Sequence, residues 1–401
     1  MNPYIEVRSV SKIFGNNSKA AIDLLKQGKT KKEILKATGQ TVGVKNVSFE
    51  IYPGEIFVIM GLSGSGKSTL IRMFNRLIEP TIGEILIENE DIVKMSEARL
   101  RKVRQKKISM VFQNFALFPH KTIVENTEYG LEIQKVPVEQ RRKRALSALE
   151  VVGLKGYENQ LPKQLSGGMQ QRVGLARALA SDTDVILMDE AFSALDPLIR
   201  KDMQDELLDI QEKYKKTIIF ITHDLDEALR IGDRVALMKD GSIIQLGTPE
   251  QILMNPANEF VEKFVEDVDL AKILTASHVM KRAEKIGVDR GPRVALEIMR
   301  KQGYSSIFVV DRNRKLLGAI TAEEARQAIE HNQTIADVMT TDIPIVSGET
   351  LLTDLMDVMS TSSLPISVID AEHHLKGIVI RGAVIGALAG NKDSLNDLEG
   401  E

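Results

Sequence analysis

The sequence predicts an α/β protein, in which a largely parallel sheet with flanking helices is followed by a second and smaller α/β module. A glycine-rich motif at residues 61–68 directly follows an apolar strand. Short apolar strands then alternate with helical stretches over residues 56–222, a pattern typical of parallel sheets covered by helices. Beyond residue 275 the chain repeats itself, with Val279-Met280 returning as Val338-Met339. Self-similarity at a fixed offset indicates a duplicated unit.

Length and composition narrow the class of protein. The 401 residues exceed one typical core and favour two or three domains. A hydrophobic content of 43% is ordinary for a soluble protein, and a net charge of −3 argues against a nucleic-acid binder. The chain has no cysteine, which excludes disulfides. It also lacks an apolar run of the ~18–20 residues that span a bilayer, so we expect a cytoplasmic protein that reaches a membrane through a partner or its surface.

A basic helical insert at residues 16–42 separates two predicted strands, residues 4–14 and 44–60. Its helical part contains two acidic residues and six lysines, which are Lys19, Lys26, Lys29, Lys31, Lys32 and Lys36. Its predicted apolar anchors are Leu24, Leu25, Ile34 and Leu35. Two interpretations are open: a solvated surface hairpin, or a basic patch that faces anionic lipid.

The motif at residues 61–68 reads G-x-x-x-x-G-K-[ST], a phosphate-binding loop. Its backbone N–H groups and the N-terminus of the following helix would face the phosphates. Lys67 would supply a charge for the β- and γ-phosphates, and Ser68 a hydroxyl ligand for Mg²⁺. An ordinary glycine-rich turn is disfavoured by the strand before it and the helix after it. The predicted nucleotide contacts from this segment are Gly61, Leu62, Ser63, Gly64, Ser65, Gly66, Lys67, Ser68 and Thr69.

A second part of the site is predicted where the apolar strand at residues 185–189 ends. Asp189 can bind Mg²⁺, and Glu190 can orient and deprotonate an attacking water. An ordinary acidic turn is the alternative, but a second phosphate-recognition signature lies between the loop and this strand. It reads Leu165-Ser-Gly-Gly-Met-Gln170, in which Ser166 can cap a helix whose N-terminus is aimed at an anion.

This signature resembles the hallmark of the ATP-binding cassette (ABC) family, and four further residues match family motifs. The resemblance implies that Gln113 reaches the metal and the attacking water, and that His223 contacts the γ-phosphate. It implies that Asp196 belongs to a loop, the D-loop, that crosses between two subunits. Phe14 matches the aromatic residue that stacks on adenine, where the family usually has tyrosine. The implied Mg²⁺ ligands are Ser68, Gln113 and Asp189, and the implied catalytic residues are Lys67, Gln113, Glu190 and His223.

The resemblance also implies an assembly. In the family, the signature of one subunit completes the ATP site on the phosphate loop of another, so this chain would pair with a second copy of itself. The implied contacts across that interface come from Ser166, Gly167, Gly168 and Gln170. Phe115, Leu117 and Phe118 would form a groove for a membrane permease, unless their loop packs only on its own helical subdomain.

Residues 275–390 resemble a tandem pair of cystathionine-β-synthase (CBS) domains, at residues 275–332 and 335–390. Thr321 and Glu324 keep the Thr-x-x-acidic pattern that such domains use on ribose and phosphate. The second copy has Ile380-Arg-Gly-Ala383 there, with neither hydroxyl nor carboxylate. The resemblance implies an adenine nucleotide or a cyclic dinucleotide as ligand. A purely structural or dimerising module is the alternative.

Over nearly its whole length the chain resembles the ATPase subunit of osmoregulated glycine betaine importers. This implies an ATPase domain at residues 1–270, the CBS pair, and a polar tail at residues 391–401 that we expect to be disordered. It also implies ATP and Mg²⁺, no nucleic acid, and a permease with a solute-binding domain or protein. The expected location is the cytoplasmic face of the cell membrane. Transport would respond to osmotic or ionic state through the CBS pair or the basic insert.

Three alternatives keep the ATPase domain but change the function. The importer could carry another small solute, such as proline or choline. A soluble ABC ATPase acting on DNA or ribosomes would more usually contain two fused ATPase domains or a long coiled-coil insertion. A nucleotide-sensing regulator with a vestigial ATPase is disfavoured, because the residues on which hydrolysis depends are intact: Lys67, Asp189, Glu190 and His223.

Overall fold

The computed structural model describes residues 2–16, 18–266, 270–362 and 364–388. The chain divides into two compact units, Met1–Asp267 and Val268–Glu401. The tail predicted to be disordered, residues 391–401, lies outside the described residues. None of the helices in the described ranges is long and apolar enough to cross a membrane.

The elements of the first unit alternate between strands and helices. Its strands are β1 (Ile5–Phe14), β2 (Thr41–Ile51), β3 (Ile56–Met60), β4 (Ile82–Ile87), β5 (Glu90–Asp91), β6 (Ile108–Phe112), β7 (Val185–Asp189), β8 (Thr217–Thr222), β9 (Arg234–Lys239) and β10 (Ser242–Gly247). Its helices are α1 (Ser18–Lys26), α2 (Lys31–Thr38), α3 (Lys67–Phe74), α4 (Glu97–Lys106), α5 (Ile123–Ile133), α6 (Val138–Val151), α7 (Gly167–Ala180), α8 (Pro197–Tyr214), α9 (Leu225–Ile231), α10 (Pro249–Met254) and α11 (Glu259–Val265).

The strands of this unit form two sheets. A 6-stranded sheet has the order β10-β9-β3-β8-β7-β6, and its pairs are parallel except for β10 with β9. A 4-stranded antiparallel sheet has the order β2-β1-β4-β5. The predicted α/β class with a largely parallel sheet is confirmed. Strands β3, β7 and β8 lie in the interior of the 6-stranded sheet and are buried along their whole length. Their sequences are mostly apolar because helices or other strands cover both faces of a parallel sheet.

Strand β3 shows how the core holds the phosphate loop. Its side chains alternate between the two faces of the sheet. Ile56, Val58 and Met60 enter the core on the side of helices α5–α8, whereas Phe57 and Ile59 enter the core shared with the antiparallel sheet. The loop at residues 61–66 therefore begins at the end of a strand that is buried on both faces.

The basic insert is a helical hairpin with a small core of its own. Leu25 and Ile34 are buried there against Ile13 and Val42 of the adjoining strands. Leu24 is partly buried, but Leu35 is 48% exposed, so its predicted anchoring role is wrong. Leu35 follows Ile34 directly, and adjacent helix positions lie about 100° apart around the axis, so both cannot face the same small core.

The second unit contains the predicted repeat. Its strands are β11 (Lys285–Gly287), β12 (Ser306–Val310), β13 (Leu316–Thr321), β14 (Ile345–Ser347), β15 (Ile366–Ile369) and β16 (Leu375–Val379). Its helices are α12 (Ala276–Val279), α13 (Pro292–Gln302), α14 (Ala322–Glu330), α15 (Ile335–Val338), α16 (Leu352–Thr361) and α17 (Arg381–Leu388). Each copy has a 3-stranded sheet with one parallel and one antiparallel pair, β11-β12-β13 and β14-β15-β16. The copies share an apolar cluster that includes Phe308 and Leu375.

Candidate nucleotide-binding site

Two glycines determine the shape of the phosphate loop. Gly61 has a φ of 146° and Gly66 a φ of 107°, both in the region that favours glycine. A Cβ on Gly61 would overlap the carbonyl oxygen of Met238, and one on Gly66 would overlap that of Gly43. Gly64, with a φ of 76°, faces open space. The loop thus lies directly on the neighbouring backbone, and only glycine fits its two ends.

Lys67 and Ser65 provide polar groups inside this loop. The Lys67 side chain is 4% exposed and donates to the carbonyl oxygens of Gly61 at 2.8 Å and Leu62 at 3.2 Å. Burial lowers the pKa of the Lys67 ammonium, and the carboxylates of Glu190 and Asp189 act in the opposite direction. The buried Ser65 Oγ finds no hydrogen-bond partner in the part of the chain that the structure describes. A buried orphan hydroxyl beside an ammonium and a glycine cradle fits a phosphate chain.

Glu190 is where the predicted catalytic side chains meet. Its Oε1 lies 3.9 Å from Lys67 Nζ, and its Oε2 lies 3.4 Å from Gln113 Nε2 and 3.8 Å from His223 Nδ1. The backbone of Glu190 has a φ of 48°, which is uncommon for a residue with a side chain. Ser193 stabilises this turn, because its Oγ and its backbone N–H both donate to the Glu190 carbonyl oxygen.

Asp189, at the end of β7, is buried and paired with an arginine. Arg72 on α3 approaches Asp189 Oδ2 with Nη2 at 3.1 Å and Nε at 3.3 Å. These contacts involve only Oδ2, so the other oxygen can still accept. Ser68, the hydroxyl predicted to bind Mg²⁺, lies half-buried in the first turn of the same α3. Sequence reasoning missed Arg72, although a basic residue on the helix directly after the phosphate loop could have been expected to lie near the site.

A cleft of about 360 Å³ joins the phosphate loop to the predicted adenine contact. Phe14 is 39% exposed at this cleft, and a Cβ on Gly43 would lie 2.7 Å from its ring, so the ring lies flush on the β2 backbone. Sequence reasoning missed Lys31 here, because its lysine-rich neighbours suggested a surface segment, either a solvated hairpin or a lipid-facing patch. The residues that line the cleft are Phe14, Lys31, Thr41, Val42, Gly43, Ser63, Gly64, Gly66, Lys67, Ser68, Thr69 and Glu190.

The signature lies elsewhere on the same unit, at the start of α7. Ser166 is the N-cap, and its Oγ accepts from the Met169 backbone N–H at 3.3 Å. Ser166 and Gly167 are exposed. Among the described residues, no member of the signature lines the phosphate-loop cleft. On one copy of the chain, the described residues thus place the phosphate loop and the signature on separate surfaces.

Three neighbouring residues give the signature its shape. Gly168 is buried, and a Cβ there would lie 2.8 Å from Ile199 Cγ2, so the signature packs on α8. Asp196 is the exposed N-cap of that helix and accepts from the Ile199 backbone N–H at 3.1 Å. Gln170 Nε2 donates to the Leu165 carbonyl oxygen at 3.2 Å. Gln170 thus braces its own loop in this structure.

The aromatic loop after Gln113 contributes to both the core and the surface. Phe115 and Ala116 have φ values of 55° and 48°, and Arg177 donates to both of their carbonyl oxygens, at 3.0 and 2.7 Å. Leu117 packs against the core, in agreement with the alternative of a loop on its own subdomain. Phe118 instead lines a cleft of about 400 Å³.

In the second unit, Thr321 and Glu324 form a helix cap. Thr321 N and Oγ1 donate to Glu324 Oε2 at 2.7 and 2.9 Å, and Glu324 N donates to Thr321 Oγ1 at 3.2 Å. Thr340 donates to Glu324 Oε1 at 2.9 Å. This capping box gives the Thr-x-x-acidic pattern a structural role at the start of α14.

Comparison with known proteins identifies the family of this chain. The sequence model of the ABC transporter matches residues 44–193, and that of the CBS domain matches residues 276–331 and 335–390. The chain is 64% identical over 392 residues to the glycine betaine transport ATP-binding protein OpuAA of Bacillus subtilis (strain 168), covering 98% of this chain and 94% of that protein. It is 57% identical over 394 residues to the glycine betaine/carnitine transport ATP-binding protein GbuA of Listeria monocytogenes serotype 1/2a (strain 10403S), covering 98% and 99%.

A solved structure supports the same assignment. The ATP-binding cassette MJ0796, in a dimeric post-hydrolysis state bound to ADP and Pi, is similar with a TM-score of 0.52 and 34% sequence identity. The similarity covers 61% of this chain and 98% of that one. The chain therefore belongs to the ABC transporter family, as an ATP-binding subunit that also carries a pair of CBS domains.

Proposed function

We propose that this chain is the ATP-hydrolysing subunit of an importer for glycine betaine or a related quaternary ammonium solute. The observation that carries the ATPase is the approach of Lys67, Gln113 and His223 to one carboxylate, that of Glu190. The names of the relatives support the solute, since OpuAA and GbuA are both glycine betaine transport proteins. Import of another small solute, such as proline or choline, is the alternative.

In the proposed reaction, a water molecule attacks the γ-phosphorus of ATP. Glu190 accepts a proton as the new oxygen–phosphorus bond forms, and the bond from the γ-phosphorus to the bridging oxygen breaks to give ADP and phosphate. Gln113 positions the water, and His223 contacts the γ-phosphate. Lys67 stabilises the negative charge on the β- and γ-phosphates.

The residues near the phosphate loop suit a divalent cation. Ser68, Gln113 and Asp189 would hold Mg²⁺, because hydroxyl, amide and carboxylate oxygens are hard ligands. When bound, Mg²⁺ would neutralise charge on the phosphate oxygens. Phe14 would stack on the adenine ring, since its exposed ring borders the same cleft.

We propose that two copies of the chain form the working ATPase. The phosphate loop and the signature are separate half-sites on one copy, and Ser166 and Gly167 are exposed. A second copy would bring its signature and its Asp196 loop onto the nucleotide bound by the first. The dimeric state of the MJ0796 cassette supports this arrangement. ATP would hold the pair closed, and hydrolysis would release it.

A membrane permease with a solute-binding domain or protein is the proposed partner. The cleft lined by Phe118 offers aromatic surface, with the Tyr129 ring centroid 4.6 Å from that of Phe118. Arg177 holds the strained loop at its rim. A helix from the permease would enter this cleft, with the chain at the cytoplasmic face of the membrane.

The regulatory ligand and trigger stay predictions. An adenine nucleotide or a cyclic dinucleotide on the CBS pair would have to displace the cap contacts of Thr321 and Glu324 or bind beside them. Contact with anionic lipid would use the exposed lysines of the insert, over a range of ~8 Å at 0.15 M salt. These lysines are Lys19, Lys26, Lys29, Lys32 and Lys36.

Reconstitution with the permease in proteoliposomes tests the function. We expect ATP-dependent accumulation of radiolabelled glycine betaine, with proline and choline measured in parallel to identify the preferred solute. The chain with Lys67→Ala is the control and should accumulate none of the three. Vigorous ATPase activity that does not depend on any permease, with no accumulation of solute, would contradict the importer and favour a soluble ABC ATPase.

A further inference from the structure

Lys31 differs from the other lysines of the basic insert. The remaining five are exposed, whereas Lys31 is half-buried and lines the cleft beside the phosphate loop. A Cβ on Gly241 would lie 2.8 Å from Lys31 Cε and 3.2 Å from Lys31 Nζ, so the side chain lies flat on the backbone of that turn. The same turn touches the loop, because the Gly241 N–H donates to the Ser65 carbonyl oxygen at 2.9 Å.

The ammonium of Lys31 lies in the field of the Asp240 carboxylate but makes no direct contact with an acidic group of the described residues. In the described parts of the chain it forms neither an ion pair nor a side-chain hydrogen bond. Burial lowers the pKa of Lys31, and the Asp240 carboxylate acts in the opposite direction. Lys29, two residues earlier, does pair, with Glu33 at 3.3 Å. A half-buried ammonium that no carboxylate contacts directly would be stabilised by an anion bound in the cleft.

The insert holds Lys31 in a defined position. Lys31 is the first residue of α2, whose N-cap Thr30 forms a capping box with Glu33. One turn along the helix, Ile34 is anchored in the small core with Ile13. Lys45 on β2 donates to the Lys29 carbonyl oxygen at 3.1 Å and ties this turn to the sheet. The capping box, the buried Ile34 and the hydrogen bond from Lys45 thus hold the start of α2 in place, and this helix positions Lys31 at the cleft.

We infer that Lys31 binds the phosphate chain of the nucleotide, so that the basic insert is a part of the ATP site. This inference rests on the proposed function, because it assumes that ATP binds in the cleft between Phe14 and Lys67. Lys31 would reach the phosphates from the turn at Gly241, which contacts the phosphate loop. The lysines of the insert thereby divide into one that serves the nucleotide and five that face solvent.

The test compares Lys31→Ala with Lys32→Ala, a neighbouring exposed lysine on the same helix, and with Lys31→Arg. Dissociation constants for ATP, ADP and adenosine are measured by calorimetry on the full chain assembled with its permease. We expect roughly tenfold weaker binding of ATP and ADP for Lys31→Ala, the usual size of a lost contact to a charged group. Lys31→Arg and Lys32→Ala should bind ATP like the parent. Adenosine has no phosphate and should bind equally to all four proteins.

Two results would overturn the inference. One is unchanged ATP affinity for Lys31→Ala, and the other is an equal loss of adenosine and ATP affinity, which would mean that the cleft itself is damaged. Both results can be distinguished from a failure of the proposed ATPase function, because that function is tested separately by comparing the parent chain with Lys67→Ala. If the parent binds and hydrolyses ATP and Lys67→Ala does not, the ATPase stands whatever Lys31 does.

Discussion

The Nδ1 atom of His223 lies 3.8 Å from Oε2 of Glu190, although 33 positions of sequence separate the two residues. The parallel pairing of β7 with β8 creates this proximity, because parallel strands bring their carboxyl ends to the same edge of a sheet. Gln113, which follows β6, reaches the same oxygen at 3.4 Å. The edge of one sheet thus collects an acid, an amide and an imidazole around the phosphate loop.

Glu190→Gln should abolish turnover but not ATP binding. The amide keeps the size of the carboxylate but cannot accept the proton of the attacking water, so we expect kcat to fall at least ~100-fold. Single-turnover assays and ATP titration measure the two effects. Glu212→Gln, at an exposed position of α8, is the matched control. Turnover at the parent rate would remove the assignment of Glu190 as general base.

Mixed dimers should reveal whether the ATP sites are shared between two chains. If they are, each site combines the phosphate loop of one chain with the signature of the other. When a Lys67→Ala chain pairs with a Ser166→Arg chain, both substitutions fall in the same site, so the other site is intact and the dimer binds one ATP. When a chain with both substitutions pairs with the parent chain, each site contains one substitution, so the dimer binds none. Differently tagged chains allow each pair to be purified and its nucleotide counted. The opposite pattern would indicate that each chain completes its own site.

Gly61→Ala should destabilise the first unit far more than Gly64→Ala. Both positions have positive φ, for which any residue with a Cβ costs about 1–2 kcal/mol. Only at Gly61 would the Cβ also overlap a backbone carbonyl, that of Met238, which raises the expected loss to at least about 3 kcal/mol. Calorimetric unfolding of the two variants measures the difference. Equal stabilities would contradict the close packing of the loop on β9.

Glu227 should make the stability of the first unit depend on pH. Burial raises the pKa of this carboxyl, while hydrogen bonds from Thr222 and Gln204 oppose the shift. The unfolded chain therefore ionises first as pH rises above 4.5, and stability is lost as pH rises through the folded pKa. Glu227→Gln removes this loss.

We expect the melting temperature of Glu227→Gln to exceed that of the parent at pH 8 by on the order of 2–4 °C, and the gap to narrow toward pH 5. Scanning calorimetry across this range measures it, with Glu212→Gln as the exposed control. A gap that stays constant with pH would mean that the charge of Glu227 is not the cause.

Much of the nucleotide site can be predicted from local sequence because short motifs encode short-range geometry. Gly61 and Gly66 are needed for positive φ and close backbone approach, and Ser166 caps the helix that follows it. Such features depend on a few consecutive residues. The resemblance to the ABC family likewise implies that Glu190 and His223 act in the same ATP site. The membership of the ABC transporter family that these motifs indicate is confirmed.

Other features depend on which side chains the fold brings together. Arg72 pairs with Asp189, which lies 117 positions later in the sequence. Lys31 lines the cleft, whereas the other five lysines of the insert are exposed. Leu35 looked like an anchor in the sequence, but a small hairpin has only one apolar face.

The sequence by itself was enough to recognise the ATPase domain and the CBS pair of this protein, and to locate its phosphate loop, its signature and the carboxylates of Asp189 and Glu190. Only the tertiary structure decided that the basic insert borders the nucleotide site and that Glu324 is occupied by a helix cap. The physical reason is that a lysine or a glutamate has the same local pattern whether it faces solvent, a cleft or a neighbouring backbone. Burial and partners are set by packing between distant segments, which no short window of sequence contains.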